Sequence, residues 1–432
     1  MIDQPFLHGL LLLCLAGTQT LFTALAVLNL RHGRRAVDRN AEWLRETIGI
    51  DDPDELVEYT TAKTRLSHLQ SWTTVVGVIA LLYSGVLTAF VELLWESGLG
   101  PIQQGLVFFL GLVVAYQLVS APFEYYSAFV VEERFGFNER TVGLWLRDQL
   151  VGLALTIVFA GVLVAAILAA VEYVSFWWVL GWLLLVAFGL VMQILYPRVI
   201  APLFNDFEPI KDGELHSAVE EVFERAGFEC EDLFTMDASR RSSQLNAYFV
   251  GFGATKRVVL FDTLVEELDR PQIQSVLAHE LAHWKKAHIW KGLAASTLRL
   301  GVVFALLGYL VDAGWIYGLF DLPQANYAAL FVCGIFVLPT LDLLAPLENK
   351  LSLRFEREAD AFAVETMGDG EPMIEALAGL VRENLGNPFP HPWYAAFHHD
   401  HPPIPERMRY IEEIASRDGE SGDGTPDGVA AD

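Results

Sequence analysis

The residues best placed to do chemistry are two histidines and a glutamate in the pattern H-E-x-x-H, formed by His279, Glu280 and His283. The surrounding segment, 271–288, has apolar residues at helical spacing and begins with a proline, which suits a first helical position. On a helix, residues four apart share a face, so both imidazoles point the same way. Two such imidazoles can bind one zinc ion, with Glu280 beside it as general base toward a water molecule. The pattern therefore predicts zinc-dependent hydrolysis, which requires a third protein ligand.

A second helical segment, 354–363, supplies that ligand. Glu356 and Asp360 lie four residues apart, on one face of this helix. Two histidines and one glutamate leave a fourth coordination position for water, as catalytic zinc requires. We therefore expect Glu356 to be the ligand and Asp360 to orient a ligand histidine through its other ring nitrogen. The alternative is a solvated charged face, because Arg354, Arg357 and Glu358 surround both acids.

The composition is that of a membrane protein. Of 432 residues, 53% are apolar, and they cluster into blocks long enough to cross a bilayer, which takes about 20 residues. The three cysteines, Cys14, Cys230 and Cys333, show no pair spacing, so we expect neither a disulfide framework nor a cysteine zinc site. The net charge of −25 argues against nucleic acid as a partner. An acidic surface poor in lysine is also typical of a protein in very salty cytoplasm.

Seven apolar blocks are expected to span the membrane. They are residues 6–30, 73–95, 104–122, 150–174, 176–200, 292–317 and 326–347. Basic residues follow the first block, so we expect a retained span with its N-terminus outside. The outer connections, 96–103, around 175 and 318–325, then hold no Lys or Arg. This distribution places both halves of the zinc motif, and the C-terminus, on the cytoplasmic side.

One arginine departs from this distribution. Arg299 lies about two turns into the sixth predicted span. It either snorkels to the inner surface or lines a water-filled interior, and the sequence leaves both open.

The main soluble stretch, 201–291, is expected to contain a helix over 214–226 and three strands over 233–236, 245–249 and 258–261. An extended peptide can add to an exposed edge strand through main-chain hydrogen bonds. An ordinary core strand is the alternative.

Further helices are predicted over 372–383 and 405–416, with a His- and Pro-rich loop, 391–401, between them. We expect this loop to supply one donor to the site. From residue 417 onward the composition predicts a disordered acidic tail.

Taken together, several segments resemble the CAAX prenyl protease 1 family of integral-membrane zinc metallopeptidases. The resemblance covers most of the chain. The segments are 135–138 (FGFN), 201–205 (APLFN), 236–243 (MDASRRSS), 246–253 (NAYFVGFG), 279–284 (HELAHW), 355–363 (FEREADAFA), 401–403 (HPP) and 406–407 (ER).

The resemblance implies a fold and a metal. It implies seven helices around a large water-filled chamber in the membrane, with the zinc site facing into the chamber. It also implies one zinc ion per chain, bound by His279, His283 and Glu356, with Glu280 as the general base.

It further implies roles for five other residues. Asp360 matches the aspartate that follows the glutamate ligand in the family. His401 and Arg407 match positions thought to steady the developing oxyanion, which suits their donors and charge. Asn246 and Ala247 match the strand thought to hold the peptide backbone.

The sequence thus predicts a mainly α, polytopic membrane protein with a zincin-like α+β catalytic domain. Spans one to five occupy 1–200, the first catalytic part 201–291, spans six and seven 292–348, the second catalytic part 349–416 and the acidic tail 417–432. The predicted activity is zinc-dependent cleavage of peptides or proteins, lipidated or membrane-embedded ones among them, at the bilayer. The rival is a transporter-like or scaffold protein. It predicts internal repeats and broken helices, and it gives no reason for Glu280 between two helix-spaced histidines.

Overall fold

The computed structural model describes residues 4–228, 232–250 and 257–422. Helices α1–α9 are Gln4–Leu12, Thr18–Arg39, Ala41–Trp43, Pro53–Tyr83, Val86–Trp95, Pro101–Tyr126, Val142–Tyr173, Trp177–Leu195 and Glu214–Ala226. Helices α10–α18 are Asp262–Glu267, Arg270–Lys285, His288–Asp312, Trp315–Leu319, Asn326–Leu341, Ala345–Met367, Glu371–Asn384, Pro392–His398 and Ile404–Gly422. Strands β1–β4 are Phe207–Pro209, Asp232–Met236, Ala247–Val250 and Arg257–Phe261. The predicted mainly α fold is confirmed.

Seven helical runs in the described residues are long and apolar enough to cross a membrane, as predicted. They are Gln4–Arg39, Pro53–Tyr83, Pro101–Glu132, Val142–Tyr173, Trp177–Leu203, His288–Asp312 and Asn326–Met367. Many of their apolar side chains stay exposed. In the second run and in the fifth, only 6% of the most apolar 18-residue stretch is buried. Exposed leucines and valines on these runs suit contact with lipid tails, so the chain is a multi-pass membrane protein.

The bounds of several spans differ from the prediction. The block 73–95 is not one span, because α4 ends at Tyr83 and the separate helix α5 begins at Val86. Gly85 lies between them with φ 83°, a left-handed conformation that ends the helix and that glycine adopts without strain. The spanning helix instead extends back to Pro53 through a polar stretch. Arg299 lies partly buried in α12.

The structure divides into two compact units. One comprises Met1–Leu28, Thr61–Phe204 and Trp290–Pro346, and the other comprises Asn29–Thr60, Asn205–Ile289 and Leu347–Asp432. The first unit has an apolar core that includes the fully buried Phe108, Val332 and Cys333. In the second unit, α9, α11, α15, α16 and the sheet share a core around Val222, Leu277 and Leu281. All the candidate site residues belong to this second unit.

The sheet has four strands in the order β1-β2-β4-β3. The three predicted strands are present with shifted ends, but β1 was missed because it is only three residues long and contains Glu208 and Pro209. β2 and β4 are parallel, and β3 pairs antiparallel with β4, with Ala247 opposite Leu260. Among the described strands, β3 therefore lies at one edge of the sheet.

Two predictions for the C-terminal region are wrong. The stretch 391–401 is not all loop, because Pro392 to His398 form α17, with the side chain of His391 capping its first turn. The last helix does not end at residue 416 but continues to Gly422, into the predicted disordered tail. Residues 423–432 of that tail and Cys230 lie outside the described residues, whereas Cys14 and Cys333 are buried and unpaired.

Candidate metal centre and active site

Helix α11, which contains the H-E-x-x-H segment, is fixed by a capped N-terminus and a buried face. Asp269 and Gln272 form a reciprocal capping box at its N-terminus, with Pro271 in the first turn. One face of the helix, including Leu277 and Leu281, is fully buried in the core of the second unit. The two histidines and Glu280 therefore stand on a rigid helix, as the sequence predicted, although the helix ends at Lys285 and not at His288.

The side chains of His279 and His283 lie next to the carboxylate of Glu356 on α15. The Nε2 atoms of His279 and His283 lie 3.4 Å apart. The Nε2 atom of His279 is 3.4 Å from Oε2 of Glu356, and the Nε2 atom of His283 is 3.3 Å from Oε1. In the part of the chain that the structure describes, these three residues are the group whose ligand atoms all fall within 4.8 Å of one another.

The spacing of these atoms fits a zinc ion. Bonds of about 2.0–2.1 Å at tetrahedral angles place ligand atoms about 3.3–3.4 Å apart, which matches the separation of the two Nε2 atoms and the distance from each of them to one carboxylate oxygen of Glu356. The Glu356 side chain is only 3% exposed, and its Oε2 accepts no hydrogen bond from the described residues. A buried carboxylate oxygen without a donor is costly unless a cation compensates it. The donor set therefore suits a metal bound by two imidazoles and one carboxylate.

Behind His279 lies a buried ion pair. The Nδ1 atom of His279 is 2.9 Å from Oδ1 of Asp360, so the ring donates to this carboxylate while Nε2 faces the other ligands. Arg407 of α18 donates to both oxygens of Asp360, from Nε at 3.0 Å and from Nη2 at 2.6 Å. Asp360 is fully buried and the Arg407 side chain is 8% exposed. The structure thus brings Asp360 to His279 as the helical spacing suggested, with Arg407 held against it.

The carboxylates on both sides of the His279 ring favour positive charge at this place. Burial and the Arg407 charge lower the pKa of the imidazole, but the adjacent carboxylates of Asp360 and Glu356 outweigh them and raise the pKa to about 9. Two buried carboxylates thus flank the ring on opposite nitrogens. Their combined field stabilises positive charge where the ligand atoms converge.

His283 also has a polar partner on its outer nitrogen. Its Nδ1 lies 3.3 Å from Nδ1 of His288, the first residue of α12. The other nitrogen of His288 is 3.1 Å from Oε2 of Glu358, and Arg354 donates to Oε1 of the same carboxylate at 2.9 Å. From the sequence, Glu358 and Arg354 were surface charges near Glu356, and His288 had no predicted role. The available signal was a histidine five residues after His283, at the start of the next helix.

His401 approaches the ligand set from the segment before α18. Its Nε2 lies 3.4 Å from Oε1 of Glu356, and its Nδ1 lies 2.8 Å from Oδ1 of Asp400. The hydrogen bond to Asp400 is the main reason that the pKa of His401 is raised. The side chain is 55% exposed, and Pro402 beside it is buried. The His401 ring, restrained by Asp400, therefore faces Glu356 and is still accessible to a substrate.

Asn246 and Ala247 lie where the edge strand β3 begins. Ala247 is its first residue, and Asn246 precedes it, with a side-chain oxygen that accepts from the Ala247 N–H at 2.8 Å. The Asn246 carbonyl accepts from the Phe261 N–H at 3.2 Å. Asn246 is exposed and Ala247 partly so. The structure therefore places both predicted substrate-binding residues at the start of an edge strand.

The chain is similar to known proteins over most of its length. The family model described as the CAAX prenyl protease N-terminal region, five membrane helices, matches residues 29–206, and the model for peptidase family M48 matches residues 209–415. A CAAX prenyl protease 1 homolog of Oryza sativa is 35% identical over 83% of this chain and 87% of its own length. CAAX prenyl protease 1 of Saccharomyces cerevisiae is 35% identical over 72% of each chain. The crystal structure of S. mikatae Ste24p superposes with a TM-score of 0.81 at 27% identity, covering 93% of this chain and 98% of that one.

Proposed function

The chain belongs to peptidase family M48, among the CAAX prenyl protease 1 homologues, and from this premise we propose how its residues perform peptide-bond hydrolysis. The chain is a membrane metallopeptidase, and the family implies a metal ion, generally zinc. We assign one zinc ion per chain to His279, His283 and Glu356. The observation that supports this assignment most is the 3.3–3.4 Å spacing of their ligand atoms.

Glu280 is the general base. When bound, zinc polarises the scissile carbonyl and lowers the pKa of a water molecule beside it. Glu280 follows the first ligand on α11 and is partly exposed, so its carboxylate can take a proton from the attacking water and return it to the leaving amine. Its negative charge is also close enough to Arg407 to help raise the pKa of that guanidinium.

Asp360 and Arg407 position the first ligand. Asp360 accepts from Nδ1 of His279, which fixes the tautomer that leaves Nε2 free to bind metal. The guanidinium of Arg407 is buried and donates to both oxygens of Asp360. Nη2 of Arg407 also lies 3.3 Å from Nδ1 of His279, so the guanidinium contacts the Asp360–His279 pair from one side. We therefore assign Arg407 to holding Asp360 in place, a different role from direct oxyanion binding.

His401 is the residue that we assign to the oxyanion. Asp400 holds Nδ1 of the ring, and this contact turns Nε2 toward Glu356. A donor on a half-exposed side chain beside the ligands can stabilise negative charge that develops on the carbonyl oxygen. The segment that follows fixes its direction, since Pro402 and Pro403 restrict the backbone.

The substrate is proposed to bind in extended form along β3. Main-chain hydrogen bonds to an edge strand hold a peptide whatever its sequence, which suits Asn246 and Ala247 at the start of this strand. The relatives are named CAAX prenyl proteases, so we propose that lipidated peptides are among the substrates. The net charge of −25 disfavours nucleic acid as a partner.

The orientation in the membrane follows from the distribution of basic residues. We propose that the N-terminus lies outside and that the catalytic unit and C-terminus lie on the cytoplasmic side. Labelling of single cysteines introduced at Glu96 and at Arg34 tests this. An impermeant reagent added to intact cells should label the first and not the second, and the opposite pattern would invert the topology.

Hydrolysis of a model peptide tests the function. The purified protein should cleave it, lose turnover on treatment with a chelator and regain turnover with stoichiometric zinc. A prenylated peptide should have a higher kcat/KM than the same peptide without the lipid. Equal values would remove lipidated substrates from the proposal, and turnover that survives complete metal removal would contradict the zinc mechanism. A transporter-like or scaffold role is not favoured, because the M48 match covers the whole site.

A further inference from the structure

The second ligand histidine is connected to the protein surface through a line of polar contacts that the mechanism above does not use. From His283 the line runs to His288 at 3.3 Å, to Glu358 at 3.1 Å and to Arg354 at 2.9 Å. The side chain of His283 is 21% exposed, that of His288 is 2% exposed, and beyond His288 the exposed fraction rises to 30% for Glu358 and 76% for Arg354. The ring of His288 is therefore shielded from water, and the outer end of the line is solvated.

Only one assignment of protons satisfies this line of contacts. Nε2 of His283 faces His279 and Glu356, so a metal at this point needs its lone pair and the ring proton stays on Nδ1. His288 must then accept at its own Nδ1 and carry its proton on Nε2, which donates to Glu358. Each group has one defined role, and the carboxylate is the final acceptor.

The ring of His288 is also fixed in place by packing. It stacks on Phe355 with the ring centroids 4.2 Å apart and the planes 10° from parallel. Because Phe355 contacts the face of the ring, both in-plane nitrogens of His288 can still contact His283 and Glu358. A ring restrained on its face and at both nitrogens can determine the rotation of the neighbouring His283 ring.

We propose that His288 is a positioning residue of the zinc site, acting as a relay that orients His283 and transmits the charge of Glu358 to it. This inference rests on the proposed zinc ligands. An acceptor on Nδ1 fixes the tautomer and the ring orientation of a ligand histidine and makes its metal-binding nitrogen more basic. His279 receives this support directly from the buried Asp360, and His283 receives it through one additional ring.

Zinc dissociation constants of the full-length protein, measured by competition with a chromogenic chelator, test the relay. His288→Phe keeps the stacking on Phe355 and removes both ring nitrogens. It should weaken zinc binding by roughly 10–100-fold, the usual cost of losing such a partner. His288→Gln offers an oxygen acceptor and an N–H donor, so it should recover part of the affinity. Arg354→Gln, at the solvated end, should change it less than twofold.

Two controls distinguish the relay from a loss of packing around His288. His216→Gln removes another histidine paired with a glutamate, 3.2 Å from Glu220 on the surface, and should leave zinc binding unchanged. The melting temperature of the metal-free protein should be close to that of wild type for His288→Phe, which keeps the stacking on Phe355, and lower for His288→Gln, which loses it. A zinc dissociation constant of His288→Phe within twofold of wild type would overturn the relay. Equal losses of affinity in the Phe and Gln variants, with lowered metal-free melting temperatures, would also overturn it in favour of packing.

The same titration distinguishes failure of the relay from failure of the zinc site. His283→Ala should abolish tight zinc binding. If it does and His288→Phe binds zinc normally, only the relay is wrong. If His283→Ala itself binds zinc as tightly as wild type, the proposed ligand set is wrong, and the relay with it.

Discussion

The buried pair of Asp360 and Arg407 should contribute separately to stability and to zinc binding. We consider Asp360→Leu, Arg407→Met and the double variant, in which an apolar pair of similar volume replaces the charges. Asp360→Leu leaves the Arg407 guanidinium without its carboxylate, and Arg407→Met leaves Asp360 with His279 as its partner, at a place where the two side chains are at most 8% exposed. Breaking a buried pair in this way costs about 3–5 kcal/mol, whereas replacing both partners by apolar residues is often close to neutral. The double variant should therefore be more stable than either single variant.

Zinc affinity should follow a different pattern. Asp360→Leu removes the acceptor of the His279 Nδ1–H, so zinc binding should weaken by roughly 10–100-fold. The double variant should stay as weak, because it does not restore that acceptor. Arg407→Met keeps the acceptor and should weaken zinc binding less. Stability and zinc affinity should thus separate in the double variant.

Thermal melting of the metal-free proteins in one detergent, together with chelator competition, measures both quantities. The exposed pair of Arg382 and Glu267, 3.2 Å apart, is the control, since breaking an exposed pair typically costs about 0–1 kcal/mol. Recovery of zinc affinity in the double variant would refute the role of Asp360 as the acceptor for His279. A fall in kcat of Arg407→Met at unchanged stability and zinc affinity would refute positioning and return Arg407 to the oxyanion.

Three further predictions concern the ligands and the substrate. Glu356→Ala should lose zinc and activity, whereas Glu365→Ala, on an exposed face of the same helix, should lose neither; metal analysis of both purified variants decides this. His401→Ala should lower kcat by about 10²–10³-fold with zinc content and melting temperature unchanged, and full activity would remove it from the mechanism. Asn246→Ala should raise KM for an extended peptide by about 2–10-fold at similar kcat, the worth of one hydrogen bond, and an unchanged KM would remove the Asn246 side chain from substrate binding.

The pairs of site residues that lie on one helix were predictable, because helical spacing determines which residues share a face. His279 and His283 share a face of α11, and Glu356 and Asp360 share a face of α15, so each pair was evident from residues four apart. The apolar blocks likewise gave the correct number of spans, since the bilayer demands a minimum apolar length.

Contacts between distant segments were not predictable in this way. His288 and Glu358 are 70 residues apart and meet only because the fold brings the start of α12 to α15. The carboxylates nearest to Arg407 in the sequence belong to its own helix, whereas its partner, Asp360, is 47 residues away. The break at Gly85 depends on one left-handed residue inside an apolar block, where hydropathy carries no signal of it.

The role of Glu280 as general base at a zinc site is decided by a paired measurement of zinc content and peptide hydrolysis for wild type and Glu280→Gln. The substitution removes the proposed base and keeps all three proposed ligands. We predict about one zinc ion per chain in both proteins and a loss of turnover in the variant of about 10²–10⁴-fold or more. Turnover near that of wild type in zinc-loaded Glu280→Gln would contradict the proposed mechanism.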